Sequence, residues 1–337
     1  MLDGRKRFSV GLAAAAVVGI SLLPSTPAQA EPDVDDVRAQ VEDLYHASEQ
    51  AAERRNDAEL ELERLTQELA LLQADERAQA AGFDTVREQV ADAVVAQSQG
   101  TGVSPLAEAA LSEDTAGFLA QMSTIASYND VQGRIVDTYT TELQALEIRR
   151  EATEQRVEQI RAVEERAAAE SREIDANVAE AEELLQRLEA EEQAEIFAAE
   201  ATTTDPGEAA EIAADVPDVP VSGRAAAAVQ YALAQVGDSY VYGASGPNAF
   251  DCSGLTSMAW AQAGVSLPHS SSAQYSSGRK VGRDELQPGD LVFYYSPISH
   301  VGIYIGGGQI VHAANPRSGV AVTGVGSMPY TGAVRPG

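Results

Sequence analysis

Along the first two-thirds of the chain the apolar positions recur at alternating intervals of three and four. Val34, Val37, Val41 and Leu44 begin one stripe, which resumes at Leu62, Leu65, Leu69 and Leu72 and again at Val86, Val90 and Val94. A second stripe runs through Thr153, Val157, Ile160, Glu164, Ala167, Ser171, Ile174, Val178, Ala181, Leu185 and Leu188. That repeat belongs to helices that bury one seam against a partner helix. Gly100, Gly102 and Pro105 break the pattern between the stripes. The spacing therefore predicts an all-α antiparallel coiled-coil hairpin over residues 31–200, with a helical lobe at its tip, about residues 100–127. The lobe carries Leu106, Leu111, Phe118, Leu119, Met122 and Ile125. Two helices cannot bury all six, and an uncovered apolar patch usually marks a partner site.

Periodicity stops at residues 201–221, where Pro, Thr and Asp accumulate; this segment reads as a linker. Residues 222–337 then alternate short helical and extended patterns, as an α+β domain does. Gly223–Val236 and Ser253–Ala263 read as helices. Ser239–Gly243, Leu291–Tyr295, Ser299–Ile305 and Gln309–Ala313 read as extended, the last two joined through Gly306-Gly307-Gly308. A hairpin symmetric about Gly307 sets His312 opposite Gly302, on the sheet face that also carries His300.

The N-terminus adds a different signal. Arg5, Lys6 and Arg7 precede an apolar run from Phe8 to Leu23, and Ala28-Gln29-Ala30 supplies the small residues of a cleavage site. Residues 1–30 thus read as a signal peptide removed after Ala30, which predicts a secreted, extracytoplasmic protein associated with the cell wall.

Charge narrows the chemistry. The chain holds 23 Lys and Arg against 52 Asp and Glu, a formal charge of −29, yet residues 221–337 carry six basic and five acidic residues. The acidity belongs to the helical region, and such a surface repels nucleic acid. Cys252 is the only cysteine, so no intrachain disulfide is possible and the thiol is either packing or reactive. It stands where the 253–263 helix begins, and a helix N-terminus stabilises a thiolate. A thiol, a histidine to take its proton and a second polar group to orient that histidine are the parts of nucleophilic acyl transfer. Cys252, His300 and His312 supply these types. They form no short-range metal-ligand pair, so neither a metal nor another cofactor is expected. His46 and His269 read as structural histidines.

Tyr240-Val241-Tyr242-Gly243, Phe250-Asp251-Cys252-Ser253-Gly254-Leu255, Leu267-Pro268, Pro288-Gly289-Asp290-Leu291-Val292-Phe293 and Ser299-His300-Val301-Gly302-Ile303-Tyr304-Ile305-Gly306 together resemble the NlpC/P60 family of cell-wall endopeptidases. The resemblance implies a papain-like α+β fold, with Cys252 as nucleophile, His300 as base and His312 as the orienting residue. It also implies that Tyr240 assists the oxyanion site and that Asp251 and Ser253 contact substrate. Members usually cut the bond between the γ-carboxyl of D-glutamate and meso-diaminopimelate in peptidoglycan. Ala244 and His269 depart from the family pattern, where glycine and arginine are common. The helical half resembles, more loosely, the coiled-coil domains of division-associated wall hydrolases. That likeness implies an ABC-transporter-like division complex as partner and a hairpin that regulates or localises the enzyme. An amidase or transpeptidase on the same fold, or a non-catalytic wall-binding protein, are the competing readings.

Overall fold

The computed structural model describes residues 34–99, 115–188, 205–207 and 223–337. The expected signal peptide, most of the linker and the lobe residues Leu106 and Leu111 lie outside them.

Two helices dominate the N-terminal half, α1 (Val34–Gln99) and α2 (Thr115–Gln186). At 1.5 Å per residue α1 is roughly 100 Å long. The two run antiparallel: Val37, Val41 and Tyr45 pack on Ala181, Leu184, Leu185 and Leu188, while Ala58 and Leu65 pack on Val163. Arg54 pairs with Glu170 and Glu173, Arg149 with Asp75 and Arg166 with Glu61 across the seam. These partly exposed pairs contribute at most about 1 kcal/mol each, so the apolar seam sets the register. Two expectations shift. Val163, rather than Glu164, takes the buried seam position, and residues 115–127, expected within a separate tip lobe, form the first turns of α2. Among the described residues, no helix is long and apolar enough to cross a membrane.

The C-terminal domain is α+β. After α3 (Gly223–Ala234) come a short parallel pair, β1 (Ser239–Tyr240) and β2 (Ala249–Phe250), and then α4 (Cys252–Gln262) and α5 (Ser271–Tyr275). Strands β3 (Arg279–Val281), β4 (Leu291–Tyr294), β5 (His300–Gly306), β6 (Gln309–Asn315), β7 (Gly319–Gly324) and β8 (Tyr330–Arg335) follow. They form one antiparallel sheet in the order β3-β8-β4-β5-β6-β7. Helices α3 and α4 cover it through Leu233, Leu255 and Trp260, which meet Leu291, Phe293, Ile303, Val311 and Val322 in the core. The sheet is antiparallel yet buried along β4 to β7, because Leu286, Tyr295, Val325, Met328 and Tyr330 pack over Val292, Tyr294 and Ile310 on the other face.

Away from the turn the β5–β6 register is the one expected, with Ile303 opposite Val311 and Tyr304 opposite Ile310, but the turn is not symmetric about Gly307: Gly306 pairs with Gln309, and a register shift separates that pair from Tyr304. Its continuation brings Gly302 against His312. A Cβ on Gly302 would stand 3.2 Å from His312 Cβ and 3.0 Å from Ile310 Cδ1, so a side chain there would push the histidine away.

Phe293 is fully buried between sheet and helices. Phe293→Ala should cost the domain about 3–5 kcal/mol, the usual range for such truncations. Urea unfolding followed by Trp260 fluorescence tests this, and a loss under about 1 kcal/mol would contradict the assigned core.

Candidate active site

Cys252 begins α4, and the residue before it builds the helix start. Asp251 is the N-cap: its Oδ1 accepts from Gly254 N at 2.6 Å. The same carboxylate accepts from Gly243 N (2.8 Å), from Asn56 Nδ2 (3.2 Å) and from Ser253 Oγ (3.4 Å), and it bonds His269 Nε2 at 2.8 Å. A carboxylate that is 1% exposed needs that many partners. Gly254 is required here, since a Cβ would lie 2.9 Å from Asp251 Oδ1 and 3.0 Å from His269 Nε2. Gln274 Nε2 donates to Ser253 O and Pro268 O, tying the 268–274 loop to α4.

Strands β5 and β6 bring the histidines together. His300 Nε2 bonds His312 Nδ1 at 2.7 Å, and His312 Nε2 bonds Thr323 Oγ1 on β7 at 3.0 Å. The Cys252 thiol lies 3.8 Å from the Ser299 carbonyl oxygen, beside His300. Tyr240, also buried, packs edge-on against Tyr242. Cys252, His300 and His312 thus meet, and Asp251, Ser253 and Tyr240 surround them.

Four residues that the sequence reading left in the coiled coil also lie here. Glu49, Glu53 and the adjacent pair Asn56 and Asp57, spaced by four and then by three or four residues, share one face of α1, and that face enters the cleft. Glu49 is 7% exposed, Glu53 4% and Asn56 1%. Glu49 Oε1 hydrogen-bonds His300 Nδ1. Glu53 lies in a cradle of donors: Ser271 N (2.5 Å) and Ser271 Oγ (2.8 Å) to Oε2, Ser253 Oγ (2.8 Å) and the Cys252 thiol (3.6 Å) to Oε1. Asp57 accepts from Ser270 and Ser272. Sequence held one signal for this face: the apolar stripe lapses between Leu44 and Leu62, where Ala51, Ala52 and Ala58 leave little to bury. His269 bonds the carboxylate that caps the helix of Cys252, a structural role at the edge of the site.

Electrostatics in this arrangement oppose ionisation of the thiol. Burial, then the carboxylates of Glu53, Glu49 and Asp251, push Cys252 well above its ordinary value. Burial, and after it these three acidic groups, override the helix-terminus effect expected from sequence. Burial lowers His300 to about 3 and pushes His312 down as well, so both rings are neutral. Burial and Asp251 raise Glu53 to about 7, and burial raises Glu49 well above the carboxylate range.

An open part of the cleft remains on the far side of Glu49. It is a cavity of about 430 Å³ bordered by His46, Glu49, Tyr240, Tyr295, His300 and His312. His46 stacks on Tyr295 with ring centres 3.9 Å apart. Among the described residues, the one group able to hold a metal is Glu49, Cys252 and His300, whose donor atoms lie within 4.8 Å of one another.

Residues 237–333 match the NlpC/P60 family. The C-terminal domain is an NlpC/P60 domain. A probable endopeptidase of Corynebacterium glutamicum (strain R) is 44% identical over 123 residues, which cover 36% of this chain and 58% of that protein. A probable endopeptidase p60 of Listeria seeligeri is 55% identical over 80 residues, 23% of this chain and 15% of that one. The chain therefore spans about half of the first relative's length and much less of the second's. Among solved structures, the NlpC/p60 domain of the peptidoglycan hydrolase SagA is 37% identical and is 97% covered, over 33% of this chain, with a TM-score of 0.31.

Docking of α1 to the NlpC/P60 domain should depend on pH. Both glutamates hold protons more tightly when docked than in water, so docking is strongest below the ordinary carboxylate value of 4.5. It weakens as the pH rises through about 7, the docked value for Glu53. The measure is reaction of Cys252 with a neutral thiol reagent in residues 31–337, divided at each pH by that of residues 222–337 alone. This ratio should rise from about pH 4.5 to pH 7.5; a flat or falling ratio contradicts the assignment.

Proposed function

We propose that the protein is a secreted cysteine endopeptidase of peptidoglycan whose active site is closed by its own helix α1. The observation that carries the enzymatic part is a lone thiol at the start of α4, set beside His300, itself bonded to His312. The matched relatives, named as probable endopeptidases, support the same reading.

In the open state, with the glutamates withdrawn, His300 takes the Cys252 proton. The thiolate attacks the carbonyl carbon of the γ-D-glutamyl amide, forming the S–C bond while the oxygen takes up the electron pair beside Tyr240. Collapse breaks the C–N bond as His300 protonates the leaving amine of the diaminopimelate residue, and water then cleaves the thioester. His312 holds the imidazole through Nε2. A carboxylate already occupies the Ser253–Ser271 cradle beside the thiol, which supports an acidic peptide as substrate.

The hairpin holds the enzyme shut until a membrane complex of the ABC-transporter type pulls on its far end, at the wall of a dividing cell. Apolar side chains stand exposed toward that end: Val94 and Leu119 are 60% and 62% exposed, with Val131 and Val136 beyond. Leu119→Asp should weaken partner binding and leave the resting hydrolysis rate unchanged.

Mass spectrometry of muropeptides decides the reaction. Cys252→Ala should abolish cleavage of the γ-D-glutamyl-diaminopimelate bond, and His300→Ala should lower it about 10²- to 10⁴-fold. His312→Gln should lose less than His312→Ala, since orientation needs only a hydrogen-bonding group. Products cut at the amide between muramic acid and the stem peptide would overturn the bond assignment. Releasing the block should do the opposite: the double substitution Glu49→Ala, Glu53→Ala should raise the mature chain's rate at least about tenfold, toward that of residues 222–337. Equal rates for parent and variant would leave the hairpin as a tether.

A further inference from the structure

We propose that the closed protein binds one zinc ion, or a cation of like softness, between the hairpin and the active-site thiol, through Glu49, Cys252 and His300. The inference shares with the proposed function the placement of α1 in the cleft, and it goes beyond closure by steric block.

The donor set is the first argument. The three donor atoms, a carboxylate oxygen, a sulfur and an imidazole nitrogen, lie within 4.8 Å of one another, and all three residues are buried. Tetrahedral zinc, with bonds of about 2.0–2.3 Å, needs its donors about 3.3–3.6 Å apart. The hydrogen-bonded Glu49–His300 pair must part slightly and the sulfur must close in, movements that side-chain rotations supply. The sulfur favours zinc, copper(I) or cobalt over magnesium and calcium, which demand oxygen donors.

Charge and protons balance. Zinc enters with two positive charges and meets a thiolate and a carboxylate, so the occupied site is neutral. Two protons leave: the thiol proton and the one shared between Glu49 and His300. No electron moves. A neutral cluster suits a place from which water is largely excluded, where an unpaired thiolate or carboxylate is costly.

The surroundings supply the rest of a zinc site. His300 is oriented by its other nitrogen, bonded to His312, which is bonded in turn to Thr323; such support is what metal-bound histidines require. The cavity of about 430 Å³ reaches both Glu49 and His300, which gives the ion a way in and room for water as fourth ligand. Two ligands come from the NlpC/P60 domain and one from α1, so the ion ties the two together. Zinc would thus add to the hydrogen bonds that already hold the closed state, and it is inhibitory there, with no part in catalysis.

The mature chain, residues 31–337, is the protein to test, by equilibrium dialysis against zinc and by the absorption spectrum with cobalt(II). One equivalent should bind, and cobalt should give the thiolate charge-transfer band of a tetrahedral site, which Cys252→Ser removes. Glu49→Gln should weaken zinc binding at least about tenfold, within the range seen for disturbed metal shells. Glu49→His restores a donor and should recover most of that loss, which guards against a mere opening of the hairpin. Unchanged affinity in Glu49→Gln, a missing thiolate band, or no recovery in Glu49→His each overturns the proposal. None of these readouts needs hydrolysis, so failure of the proposed activity would register separately.

Discussion

Two carboxylates that ought to be in water are held out of it. Glu49 and Glu53 lie on the polar face of a coiled-coil helix, yet they are buried against a thiol and two histidines. Burial of this kind is tolerated only where donors replace the lost hydration. Ser253, Ser271 and His300 provide them, and Asn56 and Asp57 add a second row of bonds to Asp251, Ser270 and Ser272. The position of α1 along the cleft follows from these bonds. The apolar seam with α2 then fixes the direction in which the rest of the hairpin projects.

The same carboxylates decide the electrostatics of the cleft. A cysteine nucleophile needs positive potential, and the start of α4 offers some; burial, and after it the three neighbouring acids, oppose ionisation of the thiol, while burial holds the His300 imidazole neutral against the opposite pull of Asp251. Removing α1 restores water, withdraws two of the three acids and leaves Asp251 engaged as a helix cap.

Sequence exposed the frame well and the contact between its halves poorly. Heptad spacing marked both long helices, and the glycine-centred turn set the β5–β6 register and with it the meeting of His300 with His312. Strands β3, β7 and β8 are not legible in the same way: Arg279–Val281 is only three residues long, and Gly319–Gly324 and Tyr330–Arg335 each include glycine. The role of Glu49 and Glu53 was invisible for a different reason. A glutamate on a coiled-coil surface and one inserted in an active site look alike in a helix rich in acid. Only the thinning of the seam to Ala51, Ala52 and Ala58 between Tyr45 and Leu62 hints that another face of this stretch meets something besides α2.

The segment lying in the cleft is a helix, and this has a consequence for its lifetime. Each backbone carbonyl near the thiol already accepts a hydrogen bond within α1 and sits behind a layer of side chains. What the nucleophile meets is a pair of carboxylic acids, which offer no amide to cut. On the proposed closure, the block is not consumed: unlike a propeptide, which is spent by one cleavage, a strap of this kind would lift and reseat through any number of cycles, and the same molecule would be switched on repeatedly.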